Sequence, residues 1–122
     1  MRESLNERIP EVLSMPEYKD LMEFWHGQEV PMYCYYELLE KLFLQLLNND
    51  IDDAKLLSRV LIFVEDMANS EDIDIQTLLQ VQILEALFGL EYNTFKFMEK
   101  SLLPKTKELL ECTRHFFNEP TP

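Results

Sequence analysis

The sequence predicts an all-α protein: a compact bundle of five or six helices whose antiparallel helical hairpins resemble a short helical-repeat stack. Three observations carry this. Apolar residues recur at three-and-four spacing through successive segments, the signature of helices with one buried face. Two Gly and six Pro in 122 residues leave little material for hairpin turns or flexible linkers. The breaks between periodic segments are short, which makes consecutive helices antiparallel neighbours. The length suits one core, so residues 1–122 read as a single domain with frayed tails at about 1–8 and 118–122.

Pro10 and Pro16 each suit the first turn of a helix, and residues 10–26 form a helical segment with a break near Ser14. Val12, Leu13, Leu21, Met22, Phe24 and Trp25 supply its apolar side. Gly27 can take the left-handed conformation that closes a helix, and Pro31 prevents its resumption. Residues 32–48 place Tyr35, Leu38, Leu39, Leu42, Leu46 and Leu47 on one helical face. The loop NNDIDD follows, in which Asp50 or Asp52 can cap a helix over 53–68. Ser70 or Asp72 caps a fourth helix, 72–88, which is apolar on nearly every side and belongs in the middle of the domain. Gly89 ends it, residues 91–100 add a turn or two, and Pro104 opens a last helix carrying Leu109, Leu110, Thr113, Phe116 and Phe117.

Twenty-three acidic and 11 basic side chains give a net charge of −12. Phosphate neutralisation needs Lys and Arg, so nucleic acid and anionic membrane are poor direct ligands, and a basic protein is the natural partner. No stretch approaches the roughly 20 apolar residues of a membrane span. The opening MRESLNERIPEVL lacks the apolar segment of a secretory signal, which predicts a cytoplasmic protein with Cys34 and Cys112 reduced.

No catalytic or cofactor signature is present. His26 and Cys34 are too far apart for a zinc-ligand pair, and the C-x-x-H pair of Cys112 and His115 lacks a matching second half. DIDDAKLL opens like a calcium loop but lacks the later oxygen ligands and the turn glycine. Phosphate-loop, nucleophile-elbow and zincin motifs are missing too. Glu85 stands out as a carboxylate in an apolar helix; without a paired acid, histidine or metal ligand it reads as a structural anchor rather than a catalytic acid. The expectation is therefore no enzyme, no cofactor and no metal.

The acids are unevenly spread. Residues 1–76 hold 17 acids and six bases, residues 77–122 six acids and five bases. A helix of 16 residues is about 24 Å long, which would put the loops at 48–53 and 68–74 at opposite ends of a bundle. The second end collects Glu65, Asp66, Glu71, Asp72 and Asp74, with Glu29 expected nearby. Asp72 and Asp74 suit a helix start, but Glu65 and Asp66 lie near a helix C-terminus, where the dipole opposes them. Charge held against local stability is the mark of a binding surface. Tyr33, Tyr35 and Tyr36 cannot all face inward on one helix, so Tyr33 and Tyr36 complete the expected partner-binding set.

The order IPEVLSMPEYKDLMEFW, an aromatic-rich helix, LLSRVLIFVEDMANSEDIDIQTLLQVQILEALF and LLPKTKELLE resembles a family of small acidic all-α bacterial domains that includes immunity proteins. The resemblance spans residues 9–112 and rests on helix order and on the apolar positions around I-L-E-A-L at 83–87. It implies stoichiometric inhibition of a toxin, a nuclease for instance, by a monomer or weak homodimer that steers onto a basic surface. The rival readings are a nucleic-acid mimic that inhibits a defence nuclease and a self-associating structural or adaptor domain.

Overall fold

Proline places the first breaks in the chain. Pro10 opens a 3-10 turn, Pro10–Ser14, and Pro16 opens a helix, with Met15 extended between them. The computed structural model describes residues 2–118, and side chains over 5–114. Of the chain 78 % is helical and no strand occurs among the described residues, so the protein is all-α. Its helices are α1 (Arg2–Arg8), α2 (Pro16–Trp25), α3 (Met32–Leu47), α4 (Ala54–Ala68), α5 (Ile73–Leu78), α6 (Glu85–Leu87), α7 (Tyr92–Ser101) and α8 (Pro104–Asn118), with a π-helical segment, Leu79–Leu84, joining α5 to α6. They group into two compact units, residues 1–60 and 61–122, whose boundary falls within α4.

In the first unit the expected frayed start is instead helical. Leu5 and Ile9 are fully buried, and the Ile9 amide donates to the Leu5 carbonyl at 2.8 Å. Burying two branched aliphatic side chains offsets the entropy of ordering this turn. α3 is the central element, with all six of its predicted core residues buried. α2 buries no residue fully, and of its expected apolar face Phe24 is 75 % exposed. It ends where His26 and Gly27 adopt consecutive left-handed conformations (φ 48° and 79°), the His26 amide donating to the Met22 carbonyl. The cap of α4 is neither Asp50 nor Asp52 but Asp53, whose Oδ1 accepts from the Leu56 amide at 3.0 Å. Arg59 donates to both carboxylate oxygens of Glu11 and to the Arg8 carbonyl, fastening α4 to the 3-10 turn and α1.

In the second unit Asp72 caps α5 by accepting from the Asp74 amide at 2.9 Å. The run 73–87 is one nearly continuous helical path, but it is not apolar on every side. Ile75, Leu79, Ile83 and Leu87 are buried, whereas Ile73, Thr77, Val81 and Glu85 are exposed. Both sets repeat every four residues. A regular α-helix would rotate such a row by about 40° per step, and the wider π turn absorbs that drift, keeping each row on its own side. Glu85, expected among apolar neighbours, therefore points to solvent. Gln80 in the π segment donates to the Thr113 hydroxyl of α8 at 3.2 Å, and that hydroxyl donates to the Leu109 carbonyl at 2.8 Å. Phe116, Phe117, His115 and the expected frayed tail beyond 118 lie outside the residues whose side chains are described.

Candidate partner interface

Glu65 and Asp66 are sequence neighbours, and their side chains fare differently. The Glu65 carboxylate accepts from the Lys105 amide at 3.0 Å, the Thr106 amide at 2.7 Å and the Thr106 hydroxyl at 2.7 Å. It thereby satisfies the free amides at the start of α8, a capping role filled from another helix. Burial raises its pKa, but the hydrogen bonds from Thr106 and Lys105 outweigh that and hold the carboxyl below its ordinary value. Glu65 is thus a structural carboxylate, which corrects its place in the expected binding set. The dipole of its own helix opposes it, but that of α8 favours it. Asp66 is exposed.

The turn after α4 presents the rest of the acidic stretch in this unit. Gln76 donates to the Ser70 carbonyl at 2.7 Å and to the Ala68 carbonyl at 3.3 Å, and the Ser70 hydroxyl accepts from the Asp72 amide at 3.1 Å. The turn is thereby held in one shape. Glu71, Asp72 and Asp74 are exposed on it, around an Ile73 that is itself 69 % exposed. An isoleucine in that position forgoes burial, and with Thr77 and Val81 it forms a mixed outer row.

The tyrosines of α3 separate cleanly. Tyr33 is 53 % exposed, whereas Tyr36 is fully buried, the pKa of its hydroxyl pushed up to about 12 by burial. Tyr36 is therefore a core residue and leaves the expected partner set: three residues along a helix is nearly a full turn, but Tyr36 lies on the stripe of Leu39 and Phe43 and Tyr33 lies outside it. Glu29 is exposed in the loop before α3, in the first unit.

Two further ionic groups escaped sequence reasoning. Arg114 donates to Glu99 at 2.6 Å, pairs with Glu111 at 3.2 Å and lies 5.2 Å from the Phe95 ring centre. The Arg114 hydrogen bond holds the Glu99 carboxyl below its usual range. The Arg59 bond does the same for Glu11. Separations of 15 and 48 residues carry no local periodic signal. Cys34 is buried and Cys112 exposed, both as free thiols. Among the described residues no three His, Cys, Asp or Glu side chains group as a metal centre requires, and no helix is long and apolar enough to cross a membrane.

Residues 3–118 match the model of a family described as a domain of unknown function, DUF7674, and the chain belongs to that family. No curated protein and no solved structure matches it.

Proposed function

We propose that this member of the family is a non-catalytic cytoplasmic binding protein that inhibits a basic protein by stoichiometric contact, in its most specific form an immunity protein that neutralises a bacterial toxin such as a nuclease. The observation that carries the reading is the exposed run Glu71, Asp72 and Asp74 around an exposed Ile73, in a chain of net charge −12. Carboxylates raise the encounter rate with a cationic surface, and an apolar side chain among them supplies contact area once the partner has arrived. The Tyr33 ring is a second exposed side chain of the type that anchors interfaces.

The test is capture on immobilised protein at low salt, elution by a salt gradient and identification of what leaves the column. A single basic toxin or nuclease, bound one to one and inhibited, is the expected result. Recovery of the chain alone, with a mass that grows with concentration, would replace this reading with a self-associating structural domain. Reversing Asp66, Glu71 and Asp74 to lysine is expected to slow association most strongly at low salt. Glu65 and Asp72 are excluded from that set because their carboxylates hold helix starts.

A further inference from the structure

Within the first unit, α2 and α3 leave a groove of ≈ 270 Å³ between them. Its floor is apolar: Leu21 from α2, and Cys34 and Leu38 from α3. Burial pushes the Cys34 thiol up, so the sulfur stays neutral and behaves as a small hydrophobe. Along the rim stand Glu17 and Asp20 from α2 and Glu37 from α3, with Lys41 as the cation of the lining. None of the three carboxylates takes part in a salt bridge among the described residues, whereas Glu11, Glu99, Glu108 and Glu111 all do.

Helical spacing extends this arrangement at one end. Tyr33 lies one turn before Glu37 on α3 and is 53 % exposed, and Phe24 lies one turn beyond Asp20 on α2 and is 75 % exposed. An apolar trough edged by unpaired carboxylates, with an accessible ring at hand, suits a side chain that has an aliphatic stem and a cationic head. Clefts that enclose a whole small molecule run to roughly 300–1,000 Å³; this one lies just below that range and is open to solvent. A second copy of a chain with net charge −12 is disfavoured by repulsion.

We propose that the α2–α3 groove is the docking site for an arginine- or lysine-bearing segment of the basic protein partner, with the stem on Leu21 and Leu38 and the head between Asp20 and Glu37. This rests on the reading of the chain as a binder of basic protein: the acidic turn at 71–74 raises the encounter rate, and the groove holds the cationic side chain once the partner has arrived. α2, which buries no residue fully, can adjust its packing to the entering side chain at small cost.

The experiment titrates a hexa-arginine peptide into the isotopically labelled full chain at physiological salt and follows backbone amide shifts. Two doubly neutralised variants are compared with the parent: Asp20→Asn with Glu37→Gln at the groove, and Glu71→Gln with Asp74→Asn at the acidic turn, which alter net charge equally. The expected result is that shifts centre on residues 17–21 and 34–41, that the groove variant weakens binding by about five- to tenfold and that the turn variant weakens it less than about twofold. Shifts centred on 71–74, or equal losses in the two variants, would overturn the groove while leaving a binder of basic protein intact. No binding of hexa-arginine anywhere, even at low salt, would overturn the broader reading as well. Concentration-dependent shifts at the groove without peptide would assign it to a second copy and overturn the proposal.

Discussion

Residues 1–60 and 61–122 carry the same net charge, −6 each, from 12 acids with six bases and 11 acids with five, but they use their carboxylates differently. In the second unit the most engaged acids tie helices together: half-buried Glu65 holds the start of α8, and Glu99 and the exposed Glu111 hold Arg114. In the first, Glu11 is clasped by Arg59 near the surface, and Glu17, Asp20 and Glu37 are left around an apolar groove. The role of a carboxylate here is set by which donor the fold brings to it. Charge counted along the chain ranks the two regions as equals; charge left unpaired by the fold does not.

The largest effects that probe this comparison come from the cores. Phe43 in the first unit and Phe63 in the second are both fully buried. Truncating either to alanine is expected to cost about 3–5 kcal/mol, read as a lower urea midpoint with an unchanged slope. A loss under about 1 kcal/mol at one of them would show that its unit is not anchored by that ring.

Next come the two structural carboxylates. Glu65→Ala leaves the fully buried Thr106 and two helix-start amides without an acceptor, and about 2–3 kcal/mol of stability should be lost. Glu11→Ala breaks a half-exposed pair, with side-chain exposures of 43 and 36 % across Arg59 and Glu11, and should cost no more than about 1 kcal/mol. Equal losses would contradict the contrast between a carboxylate bonded to a buried hydroxyl and a surface clasp.

Acid titration separates the same groups by pH. Hydrogen bonds lower the Glu65 carboxyl in the folded state against the pull of burial, so between its folded and unfolded values the unfolded chain binds the extra proton and stability rises with pH. The stabilisation is complete above the ordinary glutamate value of about 4.3 and is lost as pH falls through the lower folded one. Chemical denaturation across the acid range should therefore show a shallower pH dependence in Glu65→Gln than in the parent. Parallel curves would mean that Glu65 is not held below its usual value.

The smallest contrast lies in the two glycines. Gly27 has φ 79° and open space for at least 4 Å around the point where a Cβ would sit, so Gly27→Ala meets only backbone strain and should cost about 1 kcal/mol. Gly89 has no such conformation, and a Cβ there would sit in ordinary contact, 3.5 Å from the Ala86 carbonyl. Gly89→Ala should raise stability by about 0.4–1 kcal/mol, by restricting the unfolded chain. Thermal melts of the two variants should move in opposite directions, and movement in the same direction would refute the assigned backbone conformations.

Much of the helical framework was legible because its causes are local. Pro10, Pro16, Gly27, Pro31 and Asp72 punctuate the chain where propensity and capping say they should, and the six core positions of α3 follow from helical period alone. The row Ile75, Leu79, Ile83 and Leu87 was equally present in the sequence, but a run with apolar residues on both rows reads as a helix buried all round until the exposed Ile73 and Val81 are seen. Of the expected interface, Tyr36 and Glu65 were misplaced for different reasons. A tyrosine fits a core as well as a surface, and the donors that claim Glu65 lie 40 and 41 residues away.

What the sequence by itself determined is the all-α class, the main helix boundaries and the net charge, since propensity, capping and composition act within a few residues. Only the tertiary structure decided which of the acids are fixtures and which face an open groove. That choice depends on the amides, hydroxyls and guanidinium groups that distant helices bring within about 3 Å of a carboxylate, and no pattern of neighbours along the chain encodes it.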